Sequence, residues 1–394
     1  MGRPARIVFA ISCLAVTALV AGCGKSGTAI PGEIDVRTLD TGSYPVDRYT
    51  YDRNANGSGN ALEGMRMAAA VVPSVKIDSS LDISFAALVM ADSTDVINYG
   101  HLAAAAKPVL DNRGYLTGYA AGGSDRAQVN GNPDPNGTDV TVRVLRFSSA
   151  DNAKLAAREL EDADFNVALN VNQKLSLPDY PDAFSHWRPG VPNIGLAMPH
   201  KDFVISLFIS RPTASQPDLL SWAKKALDAE VPQLDAFGET PADQIAQLPV
   251  DPDRLLARTL VADRDHKTPD QDDFALYPAN WLVLVADKMA DRVQLVANTG
   301  LTEIAIADGN FVFRVRDAQA GKDFAAGMIK TLGENSSAAL DKVPDTTCVH
   351  RDSDSAPSRC YVGYKQYVAV VDGTSVSDAQ SKAAAQYALL ANAL

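Results

Sequence analysis

An apolar strand that runs into a capped, alanine-rich helix recurs four times in this chain, and this unit most constrains its fold. Residues 140–147 alternate apolar and polar side chains, which predicts a strand, and Ser149 then predicts a helix start. Residues 203–209 predict a buried strand, and Ser215 with Pro217 at an early helical position predicts the next helix. Such units build mixed folds in which helices cover sheets.

The other two units lie in the last third of the chain. Residues 311–316 alternate as a strand does, and Asp317 predicts the N-cap of a helix that Gly333 closes. Residues 367–371 predict a strand, and Ser377-Asp-Ala-Gln380 resembles a capping box that opens the terminal helix.

The C-terminal part supplies enough elements to predict an architecture. Asp308-Gly309 is a strong hairpin turn, and a helical stripe precedes it. The stripe contains Leu282, Val285, Met289, Val293 and Val296. The resulting order, αββαββα, predicts an α+β fold with an antiparallel sheet and helices packed on one face, either ferredoxin-like or a permutation of it. The N-terminal part has the same ingredients in a looser order, so a diverged duplication is an open possibility.

The first residues have the layout of an export signal. Arg3 and Arg6 precede an apolar stretch over residues 7–20, which is shorter than the roughly 20 residues that a membrane-spanning helix needs. The following Val20-Ala21-Gly22-Cys23 resembles the lipobox of bacterial lipoproteins. That resemblance implies cleavage before Cys23, diacylglyceryl transfer to its thiol, acylation of the new amine, and anchoring at the extracytoplasmic face of the cell membrane. The alternative is a chance cysteine after an ordinary signal peptide.

Cysteine usage fits this compartment. Cys13 lies in the predicted signal and Cys23 is predicted to carry lipid, which leaves Cys348 and Cys360. In an oxidising space these two are expected to form a disulfide worth on the order of 3 kcal/mol. A metal site made of both cysteines and His350 is the weaker alternative, because it lacks a fourth ligand and the paired C-x-x-C spacing of zinc sites.

Composition sets the remaining limits on organisation and partners. The formal charge of −12 becomes about −14 when Arg3 and Arg6 are removed, and no basic cluster is visible, so nucleic acid is not an expected partner. Glycine and proline mark a tether, and a stretch rich in Pro, Asp and Gln marks a linker. The predicted parts are a signal peptide (1–22), a flexible tether (23–45), an N-terminal α+β domain (46–238), a linker (239–274) and a C-terminal α+β domain (275–394).

Few residues of the sequence match a catalytic motif. The five histidines, at positions 101, 186, 200, 266 and 350, form no H-E-x-x-H motif. Ser221-Trp-Ala-Lys224 matches S-x-x-K without its companion motifs, which favours the polar flank of a helix. Residues 132–137 imitate the start of a calcium loop, but Arg143 stands where a glutamate is needed. We therefore predict no catalytic, cofactor-binding or metal-binding residues, and no cofactor.

Over nearly its whole length the chain resembles an uncharacterised family of large two-domain lipoproteins from mycolic-acid-bearing actinobacteria. Besides the lipobox, the resemblance rests on residues 44–49 (Tyr-Pro-Val-Asp-Arg-Tyr), residues 60–66 (Asn-Ala-Leu-Glu-Gly-Met-Arg), and the cysteine pair before Tyr-Val-Gly-Tyr364. It implies a cell-surface location and no established activity.

The sequence thus predicts a non-enzymatic, lipid-anchored binding or scaffolding module, whose partner is an envelope protein or a small molecule. One alternative is a carrier of a lipid or other hydrophobic molecule, which requires an apolar cavity of several hundred Å³. The other is an exported hydrolase whose site is assembled from distant residues.

Overall fold

A computed structural model describes residues 34–55, 57–130, 132–339, 343–351 and 358–393. Cys23 and the predicted signal peptide lie outside them. Residues 36–394 form one compact unit. Among the described helices, none combines the length and the apolar character needed to cross a membrane.

An N-terminal half, residues 59–247, contains seven strands and six α-helices in its described residues. The strands are β1 Ile83–Met90, β2 Tyr115–Ser124, β3 Asp139–Phe147, β4 Gln173–Leu177, β5 Tyr180–Trp187, β6 Asn193–His200 and β7 Phe203–Ser210. The helices are α1 Gly59–Arg66, α2 Ser74–Ile77, α3 Ser93–Asn98, α4 Lys107–Asn112, α5 Ala150–Phe165 and α6 Gln216–Asp235.

A C-terminal half, residues 256–392, follows after a connecting segment, residues 248–255. Its strands are β8 Phe274–Pro278, β9 Glu303–Ala307, β10 Asn310–Arg314, β11 Asn335–Ala339, β12 Thr346–His350, β13 Ser358–Tyr364 and β14 Tyr367–Gly373. Its helices are α7 Asn280–Leu284, α8 Met289–Thr299, α9 Ala318–Leu332 and α10 Val376–Asn392. Short 3₁₀ helices cover Val36–Thr38, Met67–Ala69, Ala104–Ala106, Asn166–Ala168, Ala242–Gln247 and Leu256–Arg258.

The two halves share one topology. The sheets have the orders β1-β2-β3-β7-β6-β5-β4 and β8-β9-β10-β14-β13-β12-β11, so adding seven to each strand number converts the first order into the second. Neighbouring strands are antiparallel in both sheets. Helices α3 and α4 correspond to α7 and α8, the crossover helix α5 to the crossover helix α9, and α6 to α10. An internal duplication would produce this correspondence, and the predicted α+β class with antiparallel sheets is confirmed.

Local sequence signals place most of the predicted strand–helix units correctly. Ser149 accepts a hydrogen bond from the Asn152 N–H, and Asp317 accepts one from the Ala320 N–H, so both are N-caps as predicted. The terminal helix begins two residues earlier than the capping box predicts. Its N-cap is Ser375, which accepts from the Asp378 N–H and stands two residues after the end of β14.

The predicted stripe from Leu282 to Val296 is two helices, α7 and α8, instead of one. The break follows from contact with the N-terminal half, since the Asp82 carbonyl accepts from the Met289 N–H at 2.9 Å and its carboxylate from the Ala290 N–H at 2.6 Å. Asp82 thus satisfies the free N–H groups that start α8. The same contact joins Ser84 N–H to the Ala286 carbonyl, at 3.0 Å.

The C-terminal sheet carries helices on both faces. Phe313 pairs with Val368 across β10 and β14, and Phe324 of α9 lies 4.7 Å from Phe313, so α9 covers that face. Tyr364 follows Gly363, which pairs with Val368, and its side chain therefore points to the opposite face. There it contacts Tyr387 of α10 at 5.4 Å. Strands β9, β10, β14 and β13 follow the order of a permuted ferredoxin-like sheet. Helix α10 does not fit that fold, because it lies on the second face of the sheet.

The predicted linker and the end of the predicted tether make specific contacts. Tyr44 donates to Asp378 at 3.1 Å, and Arg264 pairs with Asp47 at 3.0 Å. Asp251 is buried and accepts from two backbone N–H groups that follow it. The predicted domain limits themselves stay a prediction.

Candidate binding cleft between the two halves

A cleft of about 750 Å³ lies where the two halves and their connecting segment meet. The N-terminal half contributes α1 and the residues that follow α6, and the C-terminal half contributes the ends of β8, β9 and β10. Junctions between structural units are common places for ligand sites. The side chains that define this cleft are Arg66, Phe237, Pro249, Tyr277, Glu303 and Arg314.

Aromatic contacts fix the apolar walls of the cleft. Tyr277 stacks on Trp281 with ring centroids 4.9 Å apart, and its hydroxyl donates to the Gln271 carbonyl at 3.0 Å. Phe237 packs edge-on against Phe203 at 6.3 Å. Both walls are therefore held by contacts behind them, which lowers the entropy lost on binding.

A buried ion pair holds the segment that carries Phe237. Arg146 is fully buried on β3, and its Nη1 lies 2.6 Å from Glu63 Oε1 on α1. The Thr240 N–H and hydroxyl donate to the two oxygens of Glu63, at 3.0 and 2.7 Å. Because every oxygen of this buried carboxylate is bonded, the cluster fixes residues 238–240 against α1.

Glu303 and Arg314 form the polar end of the cleft as a directly opposed cross-strand pair of β9 and β10. Arg314 Nη2 lies 3.0 Å from Glu303 Oε2 and 3.4 Å from Asp253 Oδ2. The Glu303 side chain is only 15% exposed, and its Oε2, although near the guanidinium, accepts no hydrogen bond of proper geometry from the described residues.

Burial raises the pKa of Glu303 to about 7, because desolvation outweighs the opposing effect of Arg314, and Asp253 and Asp251 raise it further. The group thus titrates near neutral pH. A ligand that donates an N–H or an O–H to Glu303 would stabilise its ionised form.

The residues that the sequence singled out lie elsewhere. Cys348 and Cys360 are opposite each other on β12 and β13 and form a disulfide bond. Lys224 pairs with Asp228 at 2.6 Å on α6. Residues 132–137 contain an Asx turn, in which Asp134 accepts from the Asn136 N–H. No cluster of three metal-ligating side chains occurs among the described residues.

Two of the five histidines, His101 and His186, share a pocket of about 160 Å³ in the N-terminal half. His186 Nδ1 lies 2.9 Å from Glu161 Oε1, and Ser206 lines the same pocket. In the part of the chain that is described, no hydrogen bond joins Ser206 to a histidine, whereas an activated serine nucleophile requires one. His200 pairs with Asp235 and His266 with Asp263, both away from this pocket.

Few sequence patterns indicate the residues that form the cleft. Phe237 lies at the end of the predicted N-terminal domain, two residues before the predicted linker, where no local pattern indicates a binding residue. Glu303 is a lone acid at the head of an otherwise apolar strand, and this mismatch is the one local signal of it.

The fold and the cleft define an α+β protein of two topologically equivalent halves with a candidate ligand site between them. The chain belongs to the family described as Domain of unknown function (DUF7373). The N-terminal profile of that family matches residues 50–250, and its C-terminal profile matches residues 255–393.

No curated protein matches the chain. Among solved structures it is similar to the crystal structure of the extracellular domain of PknH from Mycobacterium tuberculosis. The sequence identity is 15% and the TM-score is 0.28, over 42% of this chain and 94% of that one.

Proposed function

We propose that the protein is a non-enzymatic binding protein of the cell envelope, anchored by lipid on Cys23, and that the cleft between its halves binds a small molecule. One buried oxygen of Glu303, which is ion-paired with Arg314 but accepts no hydrogen bond of proper geometry from the described residues, lies beside apolar walls and carries this proposal. A ligand with an apolar body and one hydrogen-bond donor fits both features. Pockets of a few hundred to 1,000 Å³ hold small organic molecules.

Two observations support the location. The disulfide between Cys348 and Cys360 is the kind of bond that persists outside the cytoplasm. The export signal and the lipobox-like residues 20–23 supply the route and the anchor.

Native mass spectrometry of the full-length protein, extracted from its own envelope, tests the proposal. We expect the wild type to retain a small molecule, Phe237→Ala to lose at least nine-tenths of it, and Glu303→Gln to bind it roughly tenfold more weakly, since a hydrogen bond to a charged group contributes about 1.5–3 kcal/mol. The control is Glu159→Gln, because Glu159 pairs with Arg113 far from the cleft lining.

Near-ultraviolet circular dichroism verifies that each variant is folded. A wild-type protein that carries nothing, or cleft variants that retain as much as the control, would refute the proposal.

A further inference from the structure

The C-terminal half contains a second cavity, of about 370 Å³, that shares no lining residue with the cleft. It lies between α7 and α8 on one side, α9 on the other, and the face of the sheet that carries β10 and β14. We call it the arginine pocket; its lining includes Trp281, Val285, Arg292, Phe311, Phe313 and Leu332. Val285 and Leu332 are 39% and 45% exposed, so they mark the opening of an otherwise covered apolar space.

Arg292 projects from α8 into this apolar surrounding and is only 7% exposed. Its Nη1 contacts the Met328 sulfur at 2.7 Å, and a thioether is a weak acceptor. Among the described residues no carboxylate lies within ion-pair distance of its guanidinium. Desolvation lowers the pKa of Arg292 by more than the charges of Asp291, Asp287 and Glu334, which lie beyond ion-pair distance, raise it.

Two other buried arginines have acidic partners, whereas a third, Arg143, donates to the Gly100 carbonyl oxygen. Arg146 pairs with Glu63 at 2.6 Å, and Arg264 pairs with Asp47 at 3.0 Å. A buried charge without a counter-ion is strongly unfavourable, so natural proteins pair it or place it where a ligand supplies the opposite charge. Arg292 is therefore a cation that lacks its anion.

The remaining charges at the arginine pocket are already balanced. Arg359 donates to both oxygens of Asp372, at 2.7 and 2.9 Å, and the neighbouring Glu334 is paired with Arg359 and Arg351, so two cations face two carboxylates. At the rim, exposed Asp287 and Lys288 have opposite charges. Arg292 is thus the cation inside the pocket that has no counter-ion within ion-pair distance among the described residues. A ligand with a single negative charge matches it better than a phosphate monoester, which carries nearly two. A carboxylate can accept two parallel bonds from one guanidinium.

From this geometry we infer that the arginine pocket binds a single-chain amphiphile, with its carboxylate on Arg292 and its apolar chain between Trp281 and Phe313. At the ~30 Å³ that a water molecule occupies in the liquid, 370 Å³ holds on the order of a dozen non-hydrogen atoms. The site adds a second ligand to the one proposed for the cleft and does not depend on it.

Isothermal titration of the full-length, delipidated protein with sodium decanoate tests this inference. We expect saturable binding to the wild type, and at least tenfold weaker binding to Arg292→Met, which keeps the length and loses the charge. The matched control, Lys288→Met, removes a cation from the rim of the same pocket and should change the affinity by less than threefold. Decanol, which has no charge, should bind the wild type and Arg292→Met equally.

Arg292→Met should also unfold at the same temperature as the unliganded wild type or higher, because it removes an unpaired buried charge. This result keeps a loss of binding distinct from a loss of folding. Equal binding of decanoate to the wild type and Arg292→Met, or an equal loss in Lys288→Met, would overturn the inference. So would binding of acetate or inorganic phosphate as tight as that of decanoate, since the apolar chain would then contribute nothing.

Discussion

The cavity between the crossover helix and the sheet differs between the two halves. In the N-terminal half it has about 160 Å³ and lies against α5, β6 and β7, whereas in the C-terminal half it has about 370 Å³ and lies against α9 and β14. The first contains Glu161, His186 and Arg143; the second is mostly apolar around Arg292.

Side-chain size accounts for the difference in volume. Helix α5 presents Ala153, Ala156 and Ala157 to a sheet that offers Ala197, and these small residues allow close packing. Helix α9 presents Phe324 and Met328 instead, and such bulky side chains hold a helix farther from the sheet. A shared topology therefore fixes where a cavity lies but not what it can hold.

The buried charges differ as well. In the N-terminal half the Glu161 carboxylate contacts Lys174 and His186, so opposite charges meet. In the C-terminal half Arg292 meets only a thioether. Arg143, in the N-terminal cavity, donates instead to the Gly100 carbonyl oxygen. The difference in how the buried charges are paired can be tested by breaking one pair at a time.

The largest effect is expected from Glu63→Leu, which leaves Arg146 buried without its main partner. We expect the free energy of unfolding to fall by about 3–5 kcal/mol, because the uncompensated charge keeps its desolvation cost. Guanidinium denaturation followed by tryptophan fluorescence measures it.

The control is Glu159→Leu, which breaks the half-exposed pair with Arg113 and should cost less than about 1 kcal/mol. If both variants lost the same free energy of unfolding, burial would not distinguish the two ion pairs. The proposed difference between the paired Arg146 and the unpaired Arg292 would then be wrong.

The second largest loss of stability is expected from removal of the disulfide, which joins β12 to β13. The equivalent strands of the N-terminal half, β5 and β6, contain no cysteine and therefore have no such bond. The double variant Cys348→Ser, Cys360→Ser should lose about 3 kcal/mol of unfolding free energy, since the bond restricts the unfolded chain. Denaturation with and without reductant measures it. The wild type in reductant should match the double variant, and an unchanged midpoint would show that the bond adds no stability.

The smallest effect concerns the corresponding helices α6 and α10, which each bury a polar side chain. Gln386 accepts a hydrogen bond from the Leu260 N–H at 2.9 Å and donates one to the Arg258 carbonyl at 2.7 Å. Glu230 accepts only from the Val72 N–H, and its other oxygen has no partner among the described residues. Burial raises the pKa of Glu230 well above its ordinary value, so the folded state retains a proton that the unfolded state loses.

Stability should therefore fall as pH rises above the ordinary glutamate range. We expect Glu230→Gln to match the wild type near pH 4 and to exceed it by roughly 1–3 kcal/mol at pH 8, as measured by urea denaturation across that range. Gln386→Glu, which places a buried carboxyl group in α10, should become less stable relative to the wild type as pH rises. A pH-independent difference for Glu230→Gln would mean that Glu230 is ionised when folded.

Local signals predicted those elements whose ends are decided within a few residues. The N-caps Ser149 and Asp317 lie where the sequence places them, and Asp308 and Gly309 both have positive φ, as the predicted hairpin turn requires. Strands β11 and β12 were missed, because the polar stretch around them carries no alternation. The break between α7 and α8 was missed because Asp82, far away in the sequence, causes it.

The sequence by itself determined the α+β class, the strand–helix units and the expectation that Cys348 pairs with Cys360, because these depend on short-range periodicity, capping and a count of cysteines. It also predicted lipid on Cys23, which lies outside the described residues. Tertiary structure alone decided the cleft and the arginine pocket. Val293 and Val296 form the predicted stripe of α8, yet Arg292 and Leu295 are its more deeply buried residues. Whether a charge ends up paired, like Arg146, or alone, like Arg292, depends on which distant strand or helix faces it, and no local pattern contains that information.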